Sequence, residues 1–169
     1  MLVVLSGLPG TGKSAVAAGL ATRWGAVHVS IDPIEEALIG SGLPPGWQTG
    51  VAAYEAARAV AEQNLALGLT VVVDAVNDSE PARDTWRAAA AATGSDLVFV
   101  LLALEDAVEH RRRLETRVRG LQNVPEPSWD DVKARAARIR AVGRGRVSAG
   151  RRAAPGRGAG DGAGRPDRG

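Results

Sequence analysis

Eight consecutive residues near the N-terminus, Gly7, Leu8, Pro9, Gly10, Thr11, Gly12, Lys13 and Ser14, have the types and spacing of a loop that wraps phosphate. The glycines let backbone N–H groups turn inward around phosphate oxygens, Lys13 supplies a positive charge to the outer phosphates, and the Ser14 hydroxyl can ligate Mg²⁺. The apolar run Leu2, Val3, Val4, Leu5 directly precedes this loop, so a strand must deliver the chain into it and a helix must leave it. A nucleoside triphosphate is the expected ligand. Two further carboxylates follow short apolar runs: Asp32 after Val27–Ile31, and Asp74 after Leu69–Val73, with Asn77 and Asp78 close behind. Five arginines, at 111, 112, 113, 117 and 119, crowd one later segment. Phosphoryl transfer needs a phosphate cradle, a metal, a carboxylate to orient or deprotonate the acceptor, and cations to neutralise the moving group. The chain has a candidate for each.

The elements that must position these groups alternate as strand and helix, the pattern of an α/β doubly wound, mostly parallel sheet. Helical patterns are expected from Ser14 to Trp24, from Asp32 through Ile39, from Thr49 to a stop at Gly68, from Ser79 to Gly94, from Glu105 to about Arg119, and from Trp129 to Ile139. Strands are expected at 2–5, 27–31, 69–73 and 97–104, the last two reading as continuous apolar runs buried on both faces. Asp32 followed by Pro33 reads as an N-cap before a proline at the first helical position, a role that can coexist with a catalytic one. Asp74 reads as a strand-end carboxylate that would hold Mg²⁺ through water. Arg113 and Arg117, one helical turn apart, would share a face and could reach a phosphate when a lid closes. His28 and His110 read as a strand histidine and a helix-surface histidine. Trp47, in a Pro-Gly loop, is the one tryptophan that reads as a possible substrate contact, and Asn77 is a second.

Ligands on such sheets bind beyond the carboxyl ends of the strands, where these polar residues fall. The chain is 169 residues long, the size of one domain, and has no cysteine, which excludes disulfides and thiolate chemistry. No apolar run reaches membrane-spanning length and the first residues read as a core strand, so a soluble, cytoplasmic protein is expected. The net charge of +2 is unevenly placed. Residues 143–169 hold seven arginines and two aspartates (7 − 2 = +5), which leaves 2 − 5 = −3 on residues 1–142. Glycine-rich and nearly devoid of large apolar side chains, 143–169 reads as a disordered tail after a domain at 1–142. It offers non-specific contact to nucleic acid and no sequence readout. The Asn-Lys-x-Asp guanine reader of Ras-type GTPases is excluded, because the only lysines are Lys13 and Lys133.

The run at 7–14, Ser30-Ile31-Asp32, Val71-Val72-Val73-Asp74 with Asn77, and Arg113 followed by Arg117 together resemble the P-loop kinase group that includes the polynucleotide kinase domain, chloramphenicol phosphotransferase and zeta toxins. The similarity covers roughly residues 1–138. It implies a P-loop NTPase fold, ATP and Mg²⁺ as cofactors, Asp32 as general base for an acceptor hydroxyl, and Arg113 and Arg117 as stabilisers of the transferring phosphoryl. The acceptors of the group range from nucleic-acid ends to antibiotics and nucleotide sugars, so the resemblance leaves the acceptor unidentified and the oligomeric state open. It also implies a fifth strand and a closing helix, which the pattern from Gly143 onward does not supply. Related chains often carry Tyr-Glu-Pro-Trp soon after the lid helix. Residues 139–143 would read so in the plus-one frame if encoded ATA CGA GCC GTG GGN, and the tail is therefore expected to be a frameshifted or degenerate end. The competing expectations are a nucleotide-binding regulator or NTPase without an acceptor, and a nucleic-acid binder driven by the arginine tail.

Overall fold

A computed structural model describes residues 1–142, and the readings made of 143–169 lie outside the described residues. Along the chain run β1 (Leu2–Ser6), α1 (Lys13–Trp24), β2 (Val27–Ser30), α2 (Ile31–Gly40), α3 (Trp47–Ala66), β3 (Val71–Asp74), α4 (Glu80–Thr93), β4 (Leu97–Leu101), α5 (Ala107–Thr116) and α6 (Trp129–Val142). The four strands form one parallel sheet in the order β2-β3-β1-β4. This is an α/β P-loop fold. No helix among the described residues is long and apolar enough to cross a membrane.

Alternation along β1 and β3 splits the core in two. Leu2, Val4, Val71 and Val73 face α3 and α4, while Val3, Leu5 and Val72 face α1. Ala53, Ala57 and Ala61, spaced four apart on α3 and fully buried, form a smooth stripe that lets this helix lie close on the sheet. The register sets Leu5 beside Asp74 and Ser30 beside Asp74, so the carboxyl ends of β1, β2 and β3 finish level. Asp74 is buried there and accepts a hydrogen bond from Ser30 Oγ at 3.3 Å.

Three sequence expectations are corrected. Strand β4 is not buried on both faces and ends at Leu101, not Leu104. Its register places Val98 and Val100 on the side of Val3 and Leu5, yet both are exposed, because α1 lies over β1, β2 and β3. Second, Asp32 is not a helix N-cap. Strand β2 stops at Ser30, which takes the N-cap position, so Asp32 falls inside the first turn of α2 with its carboxylate available for other partners. Third, α5 begins after Asp106, whose side chain accepts from the Val108 and Glu109 amides, and it ends at Thr116. Arg117 adopts extended dihedrals (φ −71°, ψ 144°), so it does not share a helix face with Arg113.

Asn77 holds the exit of β3. It sits in the left-handed region at φ 52°, fully buried. Its Nδ2 donates to Ser6 Oγ at 3.0 Å, and its Oδ1 accepts from the buried Trp86 Nε1 at 2.8 Å. Its amide donates to Tyr54 Oη at 3.3 Å. Replacing Asn77 by alanine strands two buried polar groups and removes a residue type that tolerates this backbone. We expect Asn77→Ala to lose about 2–4 kcal/mol of stability, read as a lower urea midpoint at unchanged slope. An unchanged midpoint would show that the network carries no weight.

Candidate active site

The loop between β1 and α1 is shaped by close backbone approach. A Cβ on Gly7 would collide with the Leu102 carbonyl oxygen, and Gly7 stands at φ 149°, so only glycine fits. Gly10, at φ 87°, faces the His110 ring, which a Cβ would meet at 3.2 Å. Thr11 Oγ1 donates to the Leu8 carbonyl at 2.8 Å, and Lys13 Nζ donates to the same oxygen at 3.2 Å. Lys13 is buried at 9% exposure. Burial lowers its pKa below the usual lysine value, and the nearby Asp74 and Asp32 carboxylates pull the other way.

A cavity of about 770 Å³ opens over this loop. Its wall brings together Lys13, Ser14, Asp32, Asp74, Arg113 and Arg117. It does not include Trp47 or Asn77. Trp47 begins α3 at 81% exposure, and the Asn77 side chain is committed to Ser6 and Trp86, so neither is placed to touch a ligand in this cavity. The donor set suits Mg²⁺. Ser14 offers a hydroxyl and Asp74 a carboxylate, and among the described residues no group of three or more His, Asp or Glu could hold a metal unaided. A cation that keeps several waters and leans on substrate phosphates needs no more than this from the protein.

Opposite the loop, Arg119 Nη1 donates to Asp32 Oδ2 at 2.6 Å. Arg119 Nε donates to Glu126 Oε1 at 2.6 Å, and Arg117 Nε donates to Glu126 Oε2 at 2.7 Å. The paired guanidinium groups, working against partial burial, draw the Glu126 pKa down. Arg117 Nη2 lies beside the same carboxylate but out of line, and is left buried without a hydrogen-bond partner. Arg113 is bound to Glu109 Oε1 at 2.6 Å on its own helix.

The described chain matches a family model described as an AAA domain over residues 2–139. It belongs to that family. Among solved structures this AAA-domain chain is similar to a gluconokinase from Sinorhizobium meliloti, at 23% identity over 81% of this chain and 73% of that one, with a TM-score of 0.55. It is also similar to a putative kinase from Chloroflexus aurantiacus, at 17% identity over 83% and 78%, with a TM-score of 0.64. A chain of the Pnkp1/Rnl/Hen1 RNA repair complex aligns at 19% identity over 85% of this chain and 45% of that one, with a TM-score of 0.69. No curated protein matches the sequence significantly. These likenesses bear out the P-loop kinase resemblance at the level of fold.

Several residues of the AAA-domain site escape sequence reading. His110 is not on a helix surface. It is buried, with Nε2 at 2.7 Å from the Pro9 carbonyl oxygen and its ring edge-on to Trp129 at 5.2 Å, so Nε2 carries the proton and ties α5 to the phosphate loop. Glu36 accepts from the amides of Gln122, Asn123 and Val124 and from the Asn123 side chain, at 2.8–3.1 Å. These bonds outweigh the opposing effect of desolvation and hold its pKa below the carboxylate norm. Glu35, Arg119, Asp131 and Arg135 also line the cavity. His110, Glu36 and Arg119 meet partners far along the chain, and no local spacing signals them.

With its folded pKa lowered, Lys13 weighs against folding at neutral pH, and the penalty fades only as pH rises through the lowered value toward 10.5. Lys13→Met removes it. We expect that variant to bind no ATP in isothermal titration while its urea midpoint at pH 7 stays level or rises. Retained ATP affinity would remove the loop's assigned role.

Proposed function

We propose that this chain is an ATP-dependent kinase that transfers the γ-phosphate to a hydroxyl of a small molecule or nucleotide. The observation that carries the reading is Asp32, a carboxylate on the wall of the phosphate-loop cavity and opposite Lys13 and Ser14. The backbone N–H groups between Gly7 and Ser14, Pro9 having none, would cradle the β- and γ-phosphates, with Lys13 as the point charge. Mg²⁺, held by Ser14 and through water by Asp74, would neutralise charge on the phosphate oxygens. Asp32 Oδ2 is taken by Arg119, which leaves Oδ1 to accept the proton of the acceptor hydroxyl. Arg117, ion-paired with Glu126 on the cavity wall, can exchange that carboxylate for a phosphoryl oxygen as charge develops there. Arg113 can exchange Glu109 for the same group. The kinases among the structural neighbours support this reading.

A second reading, a nucleotide-binding regulator or NTPase without an acceptor, is favoured by one observation: the Arg119–Asp32 bond occupies an oxygen of the proposed base. Asp32→Asn separates the two. It keeps the shape of the side chain while removing the basic oxygen. We expect ATP·Mg²⁺ affinity within a few-fold of the parent and phosphoryl transfer lower by about 10²- to 10⁴-fold, measured by ³¹P detection of product. Transfer at the parent rate would take the base role from Asp32. Arg117→Ala should reduce kcat more than it weakens ATP binding, in steady-state kinetics set beside ATP titration. An unchanged kcat would make Arg117 a structural partner of Glu126.

A further inference from the structure

Of the charged side chains in the cavity that take no part in the steps above, Asp131 is held by Ser128 and two others are unpaired among the described residues. Glu35 lies one helical turn after Asp32 on α2, half-buried, and its carboxylate accepts no hydrogen bond and forms no ion pair among the described residues. Burial and the neighbouring Asp32 raise its pKa, and Arg135 opposes the rise. Arg135 reaches the same cavity from α6, likewise without an ion pair or hydrogen bond among the described residues. The other arginines of the wall are already matched, Arg113 by Glu109, Arg117 by Glu126 and Arg119 by Asp32 and Glu126. The wall as a whole carries one lysine and four arginines against three aspartates and two glutamates, so 5 − 5 = 0.

A site with no surplus positive charge is already asked to hold the polyphosphate of ATP. An acceptor bearing a phosphate of its own would add like charge beside Glu35 and Asp32 with no free cation but Arg135 to meet it. A hydroxylated molecule faces no such penalty. Carboxylates three apart on a helix stand about 5–6 Å apart at Cβ, so one can take the reacting hydroxyl while the other takes a neighbouring hydroxyl of the same molecule. Arg135, a donor only, completes the set by giving hydrogen bonds to acceptor oxygens.

We propose that Glu35 and Arg135 are the acceptor-recognising residues of this site, and that the acceptor is a small polyhydroxylated molecule without a phosphate group, not the end of a nucleic acid. This rests on the kinase reading above. It narrows the acceptor from every hydroxyl to a chemical class.

The test uses the full chain with ATP and Mg²⁺, and follows phosphate-ester formation by ³¹P NMR. The acceptors offered are glycerol, ribose, sorbitol and myo-inositol, each phosphate-free, against ribose 5-phosphate and a 5′-hydroxyl oligonucleotide. We expect transfer to at least one phosphate-free polyol, with kcat/KM at least 100-fold above that for ribose 5-phosphate or the oligonucleotide. For the preferred polyol, Glu35→Gln should raise KM at least tenfold while the Kd for ATP stays within twofold. The same variant should narrow the margin over ribose 5-phosphate, a ratio that a merely structural role for Glu35 would not move. Preference for ribose 5-phosphate or the oligonucleotide overturns the inference and leaves the kinase reading standing. ATP binding with transfer to none of the six overturns the kinase reading itself, and the inference with it. The comparison of acceptors on the unaltered protein decides the class even if a variant fails to fold.

Discussion

An ammonium group withdrawn from water is the constraint around which the site is organised. Lys13 must point into the phosphate loop to be useful, and there it loses most of its hydration. Three features make the position tenable: the Leu8 carbonyl accepts from Nζ, and the carboxylates of Asp74 and Asp32 lie near enough to favour the charged form. Those carboxylates are where they are because of strand order. Strand β3 is inserted between β1 and β2, so the residue that ends β3 lies level with the end of β1 where the loop begins. A different order would leave the same sequence motif with a buried cation and no counter-charge. The parallel sheet and the phosphate loop are thus one electrostatic arrangement.

Much of this was legible in the chain because it is local. The loop, its flanking strand and helix, the carboxylates at the strand ends and the cap at Ser79 all depend on residues within a few positions of one another. What sequence could not supply was the partner of each charge. Asp32 looked like a cap since an aspartate before proline usually is one, but β2 ends two residues earlier and the register with β3 decides that. Arg117 looked like a helix residue because arginine favours helices. Its pairing with Glu126, nine positions on, accompanies an extended backbone instead. His110 looked solvated on a charged helix, and only its meeting with Pro9, about a hundred residues away in sequence, buries it. Strand β4 misled for a related reason: an apolar run reports affinity for a core, not whether a helix arrives to cover it.

The segment after α5 is anchored differently from α5 itself. Helix α5 is pinned to the phosphate loop through His110 and to α6 through the ring contact with Trp129. It is thereby tied to the loop, and Arg113 on this helix lines the cavity. The stretch from Arg117 to Pro127 instead hangs on α2, where Glu36 gathers three successive amides and Arg119 reaches Asp32. The two sets of attachments meet at Arg117, where helical dihedrals end.

Two of the attachments on α2 differ in what they ask of catalysis. The Glu36 clasp engages no group that the chemistry uses, so it can persist through a turnover. The Arg119 bond engages the proposed base. Arg119 has a second carboxylate partner in Glu126, and it also donates to the Pro125 carbonyl at 3.2 Å. Letting go of Asp32 leaves its guanidinium still paired, which keeps the penalty of the exchange well below that of exposing an isolated buried charge. Glu126, already shared with Arg117, would then be the common counter-ion of both arginines. Release of Asp32 by Arg119 would leave the Glu36 clasp intact, because the residue that holds Asp32 and the residue that holds the 122–124 segment are different ones.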